Sequence, residues 1–243
     1  MPSKTRLDLL LVARGLVSSR EKAQRAIMAG QVYAAGQKAE KSGQQVADDI
    51  ELELRGGEKF VGRGGWKLEG ALEHFRIPVG GRVALDVGAS TGGFTDCLLQ
   101  RGAVRVHAID VGHGQLDWRL RNDPRVVVRE GVNARFLTAS DIGEGVDLCV
   151  GDVSFISLTL ILPVLFVLLA PGADMVLLIK PQFELTPDKV GRGGVVREPE
   201  YHEEAVEKIR VFVSAAGKHW LGVMPSPIKG REGNTEFLAH LQT

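Results

Sequence analysis

Only two cysteines, Cys97 and Cys149, occur in this chain of 243 residues, and both lie inside apolar stretches. That number and placement argue against a disulfide framework or a cysteine metal site, and fit reduced, buried thiols in a reducing compartment. Long hydrophobic runs are also missing. The longest, Leu158 to Ala170, is interrupted by Pro163 and falls short of the ~20 residues a bilayer crossing needs, so it reads as a buried helix. The opening "MPSKTRLDLLLVARG" has only a short apolar stretch, with Asp8 in its approach and no cleavage-like site, which speaks against a signal peptide. Net charge is absent as well, 30 basic residues balancing 30 acidic ones. The expectation is a cytoplasmic protein that needs neither membrane nor metal and acts as a monomer.

What is present is ordinary for a globular protein: 44% hydrophobic and 25% charged residues. The length allows one large domain, or a small one and a medium one. Glycine is abundant, at 30 residues without a repeat period, and so marks many tight loops. The charge is unevenly spread. Up to Lys41, the basic residues Lys4, Arg6, Arg14, Arg20, Lys22, Arg25, Lys38 and Lys41 face only Asp8, Glu21 and Glu40. Such asymmetry predicts a basic face at one end of the molecule.

Two regions separate by pattern. In the first, residues 1–55, Leu7, Leu10 and Leu11 recur at helical spacing. Ser18 or Ser19 can cap a second helix whose Ala23, Ala26 and Ile27 face inward and which stops at Gly30. The pieces "QVYAAGQ", turning at Ala35-Gly36, and "IELELR" read as strands. This is a small α+β domain. The glycine-rich "RGGEKFVGRGG" supplies a linker over residues 56–65. From 66 to 243 strand and helix patterns alternate, which predicts an α/β domain with a largely parallel sheet covered on both faces. In such sheets ligands bind beyond the carboxyl ends of the strands, near the switch point.

One such strand end carries "LDVGASTGGFTD". Its glycines sit at 88, 92 and 93, whereas a G-x-G-x-x-G dinucleotide fingerprint would need one at 90, where Ser90 stands. The loop still allows close approach of a ligand to the backbone. Asp86 ends the preceding strand. Asp110 ends the next one, where a carboxylate can accept both hydroxyls of a ribose. A nucleoside-bearing cofactor without a diphosphate suits this pattern; a plain strand-to-helix turn is the alternative.

"LDVGASTGGFTD", "GDVSFIS" and "LLIKPQFE", in that order, resemble the S-adenosylmethionine-dependent methyltransferases of the FtsJ-like Rossmann class. "RLDLLLVARGLVSSREKAQRAIMAGQV" resembles the small RNA-binding domain first seen in ribosomal protein S-four. Joined through "VGRGGWKLEGAL", the two resemble the TlyA family of bacterial ribosomal RNA 2′-O-methyltransferases, also known as haemolysins, over essentially the whole chain. One departure is Ala35-Gly36, where family members often have Asn-Gly. The resemblance implies S-adenosyl-L-methionine as cofactor, ribosomal RNA within ribosomal subunits as partner, and cytidine as target. It also implies a catalytic Lys-Asp-Lys-Glu set at Lys67, Asp152, Lys180 and Glu236.

The chemistry explains those residue types. Methyl transfer from a sulfonium is an in-line displacement whose leaving group needs no proton, but the incoming ribose hydroxyl must shed one as it attacks. A positioned base and alignment of oxygen, methyl and sulfur are the main requirements. Lysine is a poor base when protonated, and bringing it from its ordinary ~10.4 to near 7 takes roughly 4–5 kcal/mol of differential interaction. Desolvation, a second cation and the sulfonium push that way, while Asp152 pushes back. Lys180 is therefore expected to be the base, Asp152 to orient it, and Lys67 and Glu236 to position the hydroxyl and balance charge.

Each residue taken alone has a plainer reading. Lys180 is a strand end reaching water, Asp152 a cap near Ser154 or Ser157, Lys67 the solvent side of a helix burying Leu68, Ala71, Leu72 and Phe75, and Glu236 an exposed strand carboxylate. Their joint occurrence in the family order favours the catalytic reading. The cofactor set implied is Asp86, Gly88, Ser90, Gly92, Asp110, Asn133 and Asp152, with Asn133 near the adenine. Arg6, Arg20, Lys22 and Arg25 would face phosphates, or else a solvated helix surface. "PQFELTPDKVGRGGVVREP" is too long for a plain connector and reads as a lid contacting RNA through Lys189, Arg192 and Arg197, or as disorder. Two competing functions stand beside the enzyme: a non-catalytic RNA-binding ribosome-assembly factor and a membrane-active haemolysin.

Overall fold

The computed structural model describes residues 4–17, 19–56 and 59–243. The chain divides into two compact units. One comprises the chain up to Lys59 together with Asp117–Arg119; the other is formed by Phe60–Leu116 and Leu120–Thr243.

In the first unit, helix α1 (Leu7–Ala13) buries Leu7, Leu10 and Leu11, as their spacing predicts. Helix α2 (Arg20–Met28) buries Ala23, Ala26 and Ile27, and the Ser19 hydroxyl caps it by accepting the Lys22 N–H at 3.2 Å. Ser18, the other candidate cap, lies outside the described residues. Gly30, with φ +69°, ends the helical run. Strand β1 (Lys4–Arg6) pairs antiparallel with β4 (Gln45–Ala47), and β2 (Val32–Ala34) pairs antiparallel with β3 (Gln37–Lys38) and β5 (Leu52–Leu54). Ala35 and Gly36 make the β2–β3 turn with φ of +48° and +77°. Such a two-residue turn needs left-handed backbone, which Gly36 adopts freely and Ala35 only at a cost of ~1 kcal/mol.

The second unit holds a seven-stranded sheet in the order β11-β12-β10-β9-β6-β7-β8. The strands are β6 (Val83–Val87), β7 (Arg105–Asp110), β8 (Val126–Glu130), β9 (Val146–Gly151), β10 (Leu169–Ile179), β11 (His219–Pro225) and β12 (Phe237–Gln242). All pairings among β6 to β10 are parallel, whereas β12 is antiparallel to both of its neighbours. The order reverses beside β6, between β7 and β9, and this is the switch point where ligands of such sheets bind. Alternate residues of the strands feed two cores. Ala84, Leu148, Val150, Val176 and Leu178 pack with helices α3 (Gly64–His74) and α4 (Gly93–Gln100). Leu85, Val87, Cys149, Met175 and Leu177 form the other core, which takes in the later helices. Both cysteines are free and buried in these cores; burial pushes the Cys97 thiol up to about 12 and the Cys149 thiol higher still.

Two expectations needed revision. The run Leu158–Ala170 is not one helix: it opens as a 3-10 turn over Leu158–Leu160, continues as α7 (Leu162–Leu168), and its last two residues begin β10. Pro163 falls in the first turn of α7, where its missing N–H costs nothing. The segment after β7 is helical only over α5 (Trp118–Arg121), since Gly112, Gly114 and Pro124 confine it. After β8 comes the one-turn α6 (Ala139–Ile142). Lastly, residues 60–65 of the expected linker pack as part of the second unit. Phe60 is buried, Val61 N–H donates to Asp96 at 2.8 Å, and a side chain on Gly93 would meet the Gly65 nitrogen at 2.8 Å. These connector glycines permit contact between two backbones.

The segment read as lid or disorder has defined structure. Helix α8 (Pro181–Glu184) and 3-10 turns at Pro187–Lys189 and Arg192–Gly194 lead into α9 (Pro199–Ala215). No helix among the described residues is long and apolar enough to cross a membrane.

Candidate active site

The carboxyl edge of the parallel strands gathers the four expected catalytic residues. Asp152 follows β9 and Lys180 follows β10. Glu236 reaches the same edge by the opposite route: it precedes β12, and because β12 runs antiparallel with Phe237 opposite Ile179, its beginning lies where β10 ends. Lys67 sits in the first turn of α3, whose Leu68, Ala71 and Leu72 are buried against the sheet.

Their contacts form one chain. Lys67 Nζ donates to Glu236 Oε2 at 2.7 Å and to Asp152 Oδ2 at 3.2 Å. The other Asp152 oxygen, Oδ1, lies 2.6 Å from Lys180 Nζ, which also donates to Ser154 Oγ at 2.8 Å. Lys67, Lys180 and Glu236 are all buried, at 8%, 9% and 3% exposure. Charges so removed from water persist only when paired, and here two cations meet two anions. Lys67 is thus not on the solvent side of its helix, and neither Lys180 nor Glu236 simply reaches water. Two carboxylates face Lys67 and one faces Lys180.

The glycine loop lies at the switch point beside this cluster. Gly88 has φ +82°, and a Cβ there would stand 2.8 Å from the Asp152 carbonyl oxygen, so the loop closes on the Asp152 segment only because no side chain intervenes. Asp110 accepts the Ser90 N–H on Oδ2 and the Gly112 N–H on Oδ1, both at 2.7 Å. Each oxygen retains a lone pair for a further donor. Asp86 is fully buried: its Oδ2 accepts from Thr95 Oγ1 at 2.6 Å, and its Oδ1 has no partner among the described residues. Burial pushes this carboxyl up to about 7; the Thr95 bond opposes the shift, while the charges of Asp152 and Asp110 add to it. Gly92 adopts φ +95° just before α4. Exposed Asn133 accepts the Arg135 N–H at 3.1 Å, the turn-capping role open to any Asn there.

An approachable glycine backbone, a ribose-ready carboxylate and an unsatisfied buried carboxylate oxygen together fit a nucleoside with a cationic substituent. Among the described residues no group of three or more His, Cys, Asp or Glu could hold a metal ion.

The basic residues divide. Arg6 and Arg20 both bind Asp8, which is completely buried: Arg6 through Nε at 3.0 Å and Nη2 at 2.9 Å, and Arg20 through Nε at 3.0 Å, with Gln24 adding a fourth bond. These bonds, Arg6 first, hold the Asp8 carboxyl well below the usual carboxylate range. Both arginines remain partly exposed, so one buried acid arrays two cations at the surface. Lys22 and Arg25 are exposed on α2. Lys189 donates to both oxygens of Glu204 at 2.6 Å, whereas Arg192 and Arg197 are exposed.

Four residues escaped sequence reasoning. Ser154 holds Lys180. Phe155 is 91% exposed with φ +63° and lies 5.2 Å from the Phe183 ring. Glu184 is buried beneath the same loops. Buried Asn234 accepts the Val196 N–H at 2.9 Å and donates to the Gly194 carbonyl at 2.8 Å, clasping the 187–196 segment two residues from Glu236. Ser154, Phe155 and Glu184 lie within the motifs themselves, but nothing in their spacing separated them from neighbours.

The reversed β12 beside five parallel strands, with a glycine loop at the switch point and an ionic cluster on the carboxyl edge, defines a Rossmann-type methyltransferase domain. A family model described as FtsJ-like methyltransferase matches residues 60–243, and one described as S4 domain matches residues 5–49. The 16S/23S rRNA (cytidine-2′-O)-methyltransferase TlyA of Mycobacterium tuberculosis is 48% identical, over 100% of this chain and 91% of its own. Hemolysin A of Brachyspira hyodysenteriae is 42% identical, over 97% and 98%. A solved protein from Streptococcus thermophilus with a provisional hemolysin designation superposes with a TM-score of 0.75 at 45% identity, over 100% of this chain and 89% of that one. The chain belongs to the TlyA family of FtsJ-like methyltransferases.

Proposed function

We propose that this protein transfers a methyl group from S-adenosyl-L-methionine to a ribose 2′-hydroxyl of ribosomal RNA, at cytidine, within ribosomal subunits. The observation that carries the reading is the continuous Glu236–Lys67–Asp152–Lys180 cluster beside the glycine loop. The relative from Mycobacterium tuberculosis, named for this reaction, supports the RNA and the base.

Asp86, Gly88, Ser90, Gly92, Asp110 and Asn133, with the Asp152 segment closing over Gly88, would hold the cofactor. When bound, S-adenosyl-L-methionine would supply an electrophilic methyl group on a sulfonium. Lys180 takes the ribose proton at Nζ. Asp152 and Ser154 aim that nitrogen, so its free lone pair is presented in one direction once it is neutral. Lys67, fixed by two carboxylates, donates toward the hydroxyl oxygen, and Glu236 holds Lys67 in place. The ionic cluster therefore does positional and proton-transfer work, which together account for much of the rate in such displacements. Arg6, Arg20, Lys22 and Arg25 engage RNA phosphates in the first unit, and Arg192 and Arg197 do so in the second; Lys189, already bound by Glu204, acts mainly to hold its segment.

Incubation with ribosomal subunits and methyl-labelled cofactor tests this, followed by mapping of the label. Label at a cytidine 2′-oxygen is the expected result. Label on bases would overturn it in favour of a base methyltransferase, and no label in RNA would overturn it in favour of the assembly-factor reading.

A further inference from the structure

One buried carboxylate has no part in the mechanism above. Glu184 follows Lys180 by four residues, and its side chain is 1% exposed. It is nonetheless fully engaged. Oε1 accepts the Leu158 N–H at 2.7 Å, Oε2 accepts the Ser157 hydroxyl at 2.5 Å, and Lys208 Nζ of α9 lies 3.1 Å from Oε2 while also donating to the Glu184 carbonyl oxygen.

Those partners are not scattered. Ser157 and Leu158 belong to the loop that leaves β9 through Asp152, and Glu184 to the turn that leaves β10 through Lys180. The ladder between these strands ends at Leu177 opposite Gly151. Beyond that point four contacts tie the loops together: Lys180 to Asp152, Lys180 to Ser154, Phe155 to Phe183, and Glu184 to Ser157 and Leu158. The first two involve the reacting lysine itself, and the third rests on a ring that is almost wholly exposed. Only the Glu184 contact is buried, charge-assisted and independent of the reacting groups. For stability alone an ionic cluster of this kind is poorly suited, since apolar replacements of similar volume do as well or better. Geometry is what it supplies.

We propose that Glu184 is a positioning residue: it clamps the turn after β10 to the loop after β9 and so fixes Lys180 against Asp152. This rests on the reading of Lys180 as the base. Misplacement by ~1 Å is enough to cost about 100-fold in such sites. Glu184→Gln keeps the shape but removes the charge that gathers the Ser157, Leu158 and Lys208 donors.

The test compares wild type, Glu184→Gln, Lys180→Ala and the double variant, in full-length protein with ribosomal subunits under single-turnover conditions. Melting curves are recorded alongside. Glu184→Gln is expected to lower the maximal rate ~10-fold or more, with half-saturating RNA concentration and cofactor affinity within ~2-fold of wild type. In the Lys180→Ala background the same change should produce no further loss, because its effect runs through the missing lysine. A folded Glu184→Gln at wild-type rate with Lys180→Ala inactive overturns the clamp alone. Equal losses in both backgrounds, or a matching loss of cofactor affinity, also overturn it by assigning Glu184 a general structural role. Full activity in Lys180→Ala overturns the base reading and the clamp with it. If Glu184→Gln does not fold, Ser157→Ala, which deletes one bond of the clamp, is read by the same criteria with a several-fold loss expected.

Discussion

Lys180 Nζ lies 2.6 Å from Asp152 Oδ1, while the opposite oxygen of the same carboxylate holds Lys67. One aspartate thus spaces two lysines, and Lys67 alone is also held by Glu236. Replacing Lys180 by Ala should lower single-turnover methyl transfer about 10²–10⁴-fold, the usual worth of a general base, and leave cofactor affinity within a few-fold. Lys180→Arg should fare no better, since guanidinium stays charged and cannot accept a proton. Calorimetric cofactor binding combined with labelled-methyl incorporation reads both. An active Lys180→Arg enzyme would rule out the lysine as base.

Phe155 carries a second expectation. A phenylalanine at 91% exposure and φ +63°, three residues from Asp152, is costly on both counts. Strain of that kind concentrates at functional sites, and an exposed ring is a stacking platform for an unpaired base. Phe155→Ala should therefore weaken productive RNA engagement by roughly 1–3 kcal/mol, about 5- to 150-fold in kcat/KM for ribosomal subunits. The protein's melting temperature should stay level or rise. Unchanged kinetics would assign the ring no role in substrate handling.

Asp8 separates simple electrostatics from geometry. It is an acid in the basic unit, so removing its charge ought by itself to tighten RNA binding. Its four bonds from Arg6, Arg20 and Gln24 argue the reverse, because the arginines would lose their common anchor. Asp8→Asn should destabilise the first unit by about 2–4 kcal/mol and weaken RNA binding. Melting curves and a salt-dependent RNA affinity series check this. Tighter binding by the variant would show that the two arginines need no anchor. The Asp8 carboxyl is held below its ordinary range in the folded state, so its stabilisation is present at neutral pH and lost only as pH falls well below 4.

How much of this could be read from the chain is instructive at particular residues. The four catalytic candidates were legible because residue type and motif order carried them, although each looked ordinary alone. Their convergence was only half legible. Asp152 and Lys180 share an edge by the rule for parallel strands, but Glu236 reaches it through the reversal of β12, which no local pattern announces. Ser154 and Glu184 stayed hidden for a different reason: their importance lies in a cross-loop contact, and no periodicity encodes which loops touch. The linker was overextended because glycine looks the same in a free hinge and in a tight backbone contact. The long apolar run misled because apolarity reports burial and leaves helix and strand undecided.

Ala35 offers a test where sequence and structure agree. The turn was expected at Ala35-Gly36, and the backbone there is left-handed at both positions. Asn tolerates that conformation better than Ala, and Asn-Gly is a favoured pair for this turn. Ala35→Asn should stabilise the first unit by about 0.5–1 kcal/mol. A denaturant series monitored through hydrogen exchange of the β2–β3 amides would detect it, and a neutral or destabilising outcome would mean the turn relaxes around alanine without strain.

Asp86 ties stability to pH in the opposite sense from Asp8. Its carboxyl is raised from an ordinary 3.8 to about 7, mainly by burial. Between these values the folded state holds a proton that the unfolded state has released, so stability falls as pH rises through that window and the loss is complete above about 7. Asp86→Asn, which cannot ionise, should escape the decline. Measured without cofactor, the difference in unfolding free energy between variant and wild type should be small near pH 4 and grow in the variant's favour up to pH 8, toward a limit of about 4 kcal/mol, with the melting temperatures diverging in parallel. Under the proposed function the same variant should bind S-adenosyl-L-methionine more weakly at pH 8, where the wild-type Asp86 carboxyl is ionised. A melting-temperature difference that stays flat from pH 4 to 8 would show that Asp86 is already ionised in the folded protein, and that its buried oxygen has found another partner.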